Sequence, residues 1–281
     1  PAFFEPLRDL SAVWHDRAAG EAALKTLQDL QQQTVRVVGD VQSLQKSEHL
    51  AQYQGVSVSI LGLNVQAPGA QTRLAPVSLQ VQGGEHVALW SPSGSGKSVL
   101  LAQLAGLLPV QEGEIRIDGQ LLNAQTAAAL RARMAWMSQQ PHVFAGSVAR
   151  NIGLGRAALT GDLIAQATRQ AALDQVLAER PGMSLGEGGS GLSGGEVVRL
   201  AQARLAANPS AGLLLVDEPT AHLDTETARQ IAQSLKQIAA GRTLIVATHD
   251  AELASSVDRV ITLSAVGVST HLDAAFCKEG V

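Results

Sequence analysis

Cysteine is almost absent from this sequence. Cys277 stands alone among 281 residues, so no internal disulfide can form, and one thiol near the C-terminus matches a reducing compartment. Aromatic side chains are scarce, at 3%, which removes the stacking platforms that single-stranded nucleic acid requires. Excess positive charge is missing as well: 21 Lys and Arg against 25 Asp and Glu leave a net charge of -4, and no nucleic-acid partner is expected. Long apolar runs are lacking. The longest, Val99 to Val110 with Gln103 inside it, falls short of the roughly 18 to 20 residues that cross a bilayer. The start has no basic, apolar, small-residue signal arrangement, and Pro1 in place of Met suggests a piece of something longer.

The 46% hydrophobic and 16% charged residues describe a folded globular protein, and the order of its elements gives an α/β fold. Residues 1–54 read as an N-terminal helix and linker: Phe3, Phe4, Leu7, Leu10 and Trp14 recur at helical spacing, and a Gln-rich stretch follows. That helix either rides beside a domain core or continues into a membrane segment. From Val56 the period changes to two, in Val56, Val58 and Ile60 and again in Val77, Leu79 and Val81, which predicts antiparallel strands. Glu114 to Asp118 and Arg133 to Ser138 read as further strands. Residues from about 147 to 208 are mostly helical, with amphipathic spacing between Leu163 and Leu177 and a helix from about Gly195 to Ala207. Apolar runs at Leu213 to Val216, Thr243 to Ala247 and Val257 to Leu263, with a helix over Thr225 to Ala240, predict a parallel sheet covered on both faces.

The chemistry gathers around Ser91-Pro92-Ser93-Gly94-Ser95-Gly96-Lys97-Ser98, a glycine-rich turn between an apolar strand and an apolar helix. Such a turn cradles phosphate with successive N–H groups; Lys97 reaches the outer phosphates and Ser98 can ligate Mg²⁺. A full motif of this kind has Gly where Ser91 stands. If the turn needs positive φ there, serine costs on the order of 1–3 kcal/mol. Leu213-Leu214-Leu215-Val216-Asp217-Glu218 is a buried strand ending in two carboxylates, with Asp217 placed for Mg²⁺ and Glu218 for general-base work. Leu192-Ser193-Gly194-Gly195-Glu196 opens a helix, as a plain cap or as a second anion site offered to a neighbouring molecule. His249 follows the Thr243 to Ala247 strand, where it can reach a γ-phosphate, and Gln139, ahead of Pro141, can contact Mg²⁺ and the attacking water.

Together these stretches resemble the nucleotide-binding domain of the ABC ATPase family. SPSGSGKS is similar to its Walker A, Gln139 to its Q-loop glutamine, LSGGE to its signature, LLLVDE to its Walker B, Ala221-His222-Leu223-Asp224 to its D-loop, and His249 to its switch histidine. The resemblance covers residues 55–265. It implies a P-loop NTPase with a RecA-like core, an antiparallel β-subdomain and an inserted helical subdomain at about 140–208, followed by a C-terminal tail over 266–281. It further implies an ATPase in which two domains clamp two ATP molecules, Mg²⁺ included, head to tail. Each site takes Ser93, Gly94, Ser95, Gly96, Lys97, Ser98, Gln139, Asp217, Glu218 and His249 from one protomer and Ser193, Gly194 and Gly195 from the other. The N-terminal Phe3 to Leu10 and Trp14 to Ala18 segments resemble the extension of a last membrane helix in exporters of the CydDC type, on the CydD side. That implies a membrane domain in the same full-length chain and a CydC-like half-transporter as partner. It also implies the cytoplasmic face of the inner membrane and export of cysteine or glutathione for cytochrome bd assembly. The alternatives are a catalytically weak module supporting a partner's ATP site, an exporter of other cargo, and a soluble ABC protein acting on DNA or ribosomes. Asn64 to Pro68 carries no aromatic to stack on adenine, and Glu196 ends the signature where Gln is commoner.

Overall fold

A computed structural model describes residues 55–65, 76–92, 94–154, 156, 159–264 and 267–271. The helix and linker expected over 1–54 lie outside these residues, as do residues 66–68 of the stretch lacking an adenine-stacking aromatic and most of the C-terminal tail.

The period-two segments form β1 (Val58–Leu63) and β2 (Val77–Val81), and the apolar run before the glycine-rich turn forms β3 (His86–Trp90). Beyond the turn, α1 (Lys97–Leu104) is followed by β4 (Glu114–Ile117) and β5 (Gln120–Leu121). The last two are joined through Asp118 and Gly119, both at positive φ (48° and 75°), the backbone that a two-residue Asp-Gly hairpin needs. Then come α2 (Ala127–Arg131), β6 (Met134–Met137), β7 (Gly146–Ser147) and α3 (Val148–Gly153). The expected amphipathic stretch is two helices, α4 (Gly161–Gln170) and α5 (Asp174–Glu179). Ala172 sits between them at φ 49°, and the turn it makes brings Leu173 into the core at 1% exposure. After β8 (Ser184–Leu185) and α6 (Gly194–Ala206) the chain alternates through β9 (Leu213–Asp217), α7 (Thr225–Ala239), β10 (Thr243–Thr248) and α8 (Ala251–Ser255). It closes on β11 (Arg259–Ser264) and β12 (Gly267–His271).

The strands make an antiparallel sheet in the order β2-β1-β4-β5, a six-stranded sheet in the order β12-β11-β3-β10-β9-β6, and a β7-β8 ribbon. In the six-stranded sheet only β12 runs antiparallel to its neighbour. β9 and β10 are buried along their whole length, and alternate residues serve different layers. Val87, Leu89, Leu213, Leu215, Ile245 and Ala247 pack with Leu100, Leu101 and Leu104 of α1 and with the antiparallel sheet. Ala88, Leu214, Val216, Leu244 and Val246 pack with α6 and α7 through Leu200, Ala203, Ile231 and Leu235. This is the layered α/β core with an antiparallel sheet and helical insertion that the resemblance implies.

Two polar ties hold the layers in register. The Thr243 hydroxyl, at the start of β10, donates to the Val56 carbonyl (2.7 Å) and accepts from Gly84 N–H (2.9 Å), joining the antiparallel layer to the central strand. Arg204 of α6 donates to the carbonyls of Asn151 (2.9 Å) and His142 (2.7 Å). Asn151 in turn bonds both backbone groups of Phe144, at 2.9 and 2.8 Å. The loop after β6 is thereby fixed to the helix that begins at the Ser-Gly-Gly turn.

Gly113, just ahead of β4, has φ 87°, and a Cβ there would lie 2.5 Å from the Gly62 carbonyl oxygen. Gly119 has φ 75° with open space around it. Gly119→Ala is therefore expected to cost about 1 kcal/mol, the backbone term alone. Gly113→Ala, which also forces two backbones apart, should cost roughly 3 kcal/mol or more, read from urea midpoints at constant slope.

Candidate functional site

Four adjacent strands, β6, β9, β10 and β3, all parallel, end on one edge of the central sheet. The segments leaving that edge carry Gln139, Asp217 with Glu218, His249 and the glycine-rich turn. An open parallel sheet presents ligand groups at its carboxyl edge, and here strand order alone gathers residues scattered over more than a hundred positions.

The turn is built by Gly94 and Gly96, at φ 78° and 100°, and Gly96 caps α1. Space around a Cβ built on Gly94 is open to 4 Å, so no side chain crowds the turn at that point. Ser91 is buried, at 1% exposure, and is not among the described non-glycine residues with positive φ. The strain that serine would cause in a left-handed conformation therefore does not arise. Instead the Ser91 and Ser95 hydroxyls hydrogen-bond to each other across the turn, and the Ser91 carbonyl accepts from Lys97 Nζ at 2.6 Å. Ser93 lies outside the described residues.

Lys97, 5% exposed, also donates to the Pro92 carbonyl (3.3 Å) and pairs with Glu218 Oε1 at 3.1 Å. Glu218 is 7% exposed, and its Oε2 lies 2.7 Å from His249 Nδ1 and 3.3 Å from the His249 N–H. Both oxygens of the carboxylate are thus engaged. Its backbone is held as firmly: Glu218 has φ 46°, and its N–H donates to the Ala247 carbonyl of β10 at 2.9 Å. A left-handed glutamate costs on the order of 1 kcal/mol or more and persists where its surroundings over-determine it.

Asp217, 3% exposed, has a buried Oδ1 with no hydrogen-bond partner. Burial pushes its carboxyl above the ordinary value; a hydrogen bond from Ser98 opposes this, the Glu218 charge adds to it, and Lys97 opposes it. An orphaned, desolvated carboxylate oxygen beside a serine hydroxyl is the hard-oxygen donor set that suits Mg²⁺. Asp217 and Ser98 therefore fit the ion the sequence implies. Gln139 follows β6 in an exposed loop.

Ser193, Gly194 and Gly195 stand at the start of α6. Ser193 is its N-cap, accepting from Glu196 N–H (3.3 Å) while Glu196 Oε2 accepts from Ser193 N–H (2.8 Å), a reciprocal capping box. The departure at Glu196 thus has a local role. A Cβ on Gly195 would lie 2.9 Å from the Thr227 methyl of α7, which requires glycine for close helix packing. Sequence reasoning missed Arg180, which reaches this turn from the loop after α5. It placed His222 in the D-loop without a task for its side chain; the residue is held at φ 62° in a cavity of about 340 Å³ that His249 also lines.

The chain is similar to known proteins in both sequence and fold. The family profile described as ABC transporter matches residues 74–221. The chain is 31% identical over 265 residues to the glutathione/L-cysteine transport system ATP-binding/permease protein CydD of Haemophilus influenzae, covering 94% of this chain and 44% of that protein. It is 38% identical over 205 residues to an ATP-dependent lipid A-core flippase of Alkalilimnicola ehrlichii, covering 70% of this chain and 35% of the relative. The chain therefore spans less than half the length of these relatives. Among solved structures, a bacterial Atm1-family ABC exporter with ATP bound superposes with a TM-score of 0.74 at 27% identity, covering 95% of this chain and 46% of that one.

The raised value at Asp217 fixes the sign of a stability effect. A carboxyl whose value is higher folded than unfolded binds its proton more tightly in the native state, so stability falls as pH rises through the unfolded and then the folded value. Asp217→Asn, isosteric and uncharged, should unfold at a higher temperature than wild type at neutral pH, by a few degrees in a domain of this size. The gap should close on acidification, checked by thermal melts across pH in the absence of nucleotide.

Proposed function

The chain belongs to the ABC transporter family, and from that premise we propose that it is the ATP-binding and ATP-hydrolysing motor domain of a heteromeric exporter. The observation that carries this is the Lys97–Glu218–His249 chain of contacts (3.1 and 2.7 Å) at the edge where four parallel strands end. A cation for phosphate, a carboxylate for water and a histidine that orients the carboxylate lie in hydrogen-bond sequence.

The Gly94 to Ser98 amides cradle the phosphates, and Lys97 exchanges its bond to Glu218 Oε1 for a phosphate oxygen of higher charge. Glu218 Oε1 is then free to accept a proton from water, while His249 holds Oε2 and with it the carboxylate plane. General-base assistance of this kind is worth about 10²–10⁴ in rate. Asp217 and Ser98 would hold Mg²⁺, with Gln139 reaching it from the exposed loop. When bound, the ion neutralises phosphate charge as the bond to the leaving group lengthens. Attack of water on the γ-phosphorus breaks its bond to the bridging oxygen, giving inorganic phosphate and ADP, and the proton taken by Glu218 passes to solvent or product.

Ser193, Gly194 and Gly195 complete the site of a second domain, supplied by a CydC-like half-transporter in a head-to-tail dimer. The membrane domain belongs to the same full-length chain, and the ATP-binding domain lies on the cytoplasmic face of the inner membrane. A cavity of about 420 Å³ lined by Trp136, Pro141, Phe144 and Leu154 gives that domain a seat, since Phe144 and Leu154 are 50% and 46% exposed. The cargo proposed is a thiol, cysteine or glutathione, which the likeness to CydD supports.

Calorimetric titration of Mg-ATP should give micromolar affinity, lost in Lys97→Ala. With the partner present, Glu218→Gln should bind nucleotide yet lower phosphate release by about two orders of magnitude or more. Unchanged release would assign hydrolysis to the partner and leave this chain as its support.

A further inference from the structure

The Ser193 turn contains an electrostatic contradiction that the structure resolves. The start of a helix attracts anions through its free N–H groups and dipole, and α6, thirteen residues long, offers that end to a phosphate. Yet its first turn carries a carboxylate, Glu196, only 16% exposed. Glu196 is good for the helix in isolation, because it closes the capping box on Ser193 N–H at 2.8 Å. It is bad for an anionic ligand, because a like charge one turn away opposes the phosphate that the amides attract.

We infer that Arg180 is a positioning residue of this face, neutralising Glu196 so that the Ser193-Gly194-Gly195 turn accepts a partner's nucleotide phosphate. The inference rests on the function proposed above. Arg180 leaves the end of α5 and spans the turn with both arms of its guanidinium. Nη2 pairs with Glu196 Oε1, and Nη1 donates to the Gly191 carbonyl at 2.8 Å. The fork leaves Glu196 Oε2 on the capping box, so the charge is cancelled without loosening the helix start. The planar guanidinium makes both contacts at once, which a lysine ammonium on a flexible stem does not do with the same geometry.

The test is ATP hydrolysis by the full-length transporter assembled with its partner half, comparing wild type, Arg180→Ala, Arg180→Lys, Glu196→Gln and the Arg180→Ala/Glu196→Gln double variant. An uncompensated charge weakens nucleotide-driven closure before and during reaction alike, so it acts on KM. Arg180→Ala should raise KM for ATP about 5–10-fold with kcat within about twofold. Glu196→Gln, which removes the carboxylate and leaves the Arg180 charge beside the turn, should keep KM at or below the wild-type value. The double variant should recover KM to within about twofold, because glutamine keeps the capping box and carries no charge. Arg180→Lys, which keeps the charge and loses the fork, should lie nearer wild type than alanine does, and it tests the same point should the alanine variant not fold. Were Arg180 a mere tether for the Gly191 loop, the double variant would be as impaired as Arg180→Ala; that result, or an Arg180→Ala enzyme like wild type, overturns the inference. Failure of the functional reading shows separately, as nucleotide binding that survives Lys97→Ala, and it takes the inference with it.

Discussion

Everything at the carboxyl edge of the sheet depends on how one buried carboxylate is held. Glu218 has its side chain between Lys97 and His249 and its left-handed backbone hydrogen-bonded to β10. Two buried charges lose hydration on folding, and their attraction offsets this only when the geometry is good and the remaining donors are satisfied. Lys97 meets that condition by donating to the Ser91 and Pro92 carbonyls as well. The turn is therefore shaped around its lysine before any phosphate arrives, and the base is kept covered until one does.

The sheet supplies this arrangement through strand order. β10 lies between β3 and β9, so His249 emerges between the glycine-rich turn and Glu218. The same strands alternate their side chains between two packed layers, which leaves each strand little freedom to slip. A shift of one residue would exchange the two faces and also move every functional group at the edge.

Much of this was legible in the sequence because it is local. Glycine, lysine and serine in a fixed spacing, an apolar strand ending in Asp217-Glu218, and a histidine after the next strand each announce themselves within a few residues. Contacts between distant segments were not legible. Nothing within the pattern from Leu163 to Leu177 signals the break at Ala172, since what drives it is the burial of Leu173 in a core assembled elsewhere. The residues after Ser264 gave no sign of β12, and pairing with β11 decides it. Ser91 reads as a departure in one dimension and becomes, in three, a buried hydroxyl bonded across the turn. Arg180 and Glu196, sixteen positions apart in a glycine-rich stretch, carry no periodicity that would join them.

The hydroxyl of Thr243 fastens the antiparallel layer to the first residue of β10, and His249 immediately follows the last. A pleated strand with all its neighbours in place is close to inextensible, at about 3.3 Å per residue. β10 is therefore a strut. Any shift of the outer sheet at one end must either be absorbed by breaking that hydroxyl's two bonds or be delivered, undiminished, to the histidine at the other. The domain's periphery and its reactive carboxylate are joined by the stiffest part of the fold, and neither can be redesigned as though the other were remote.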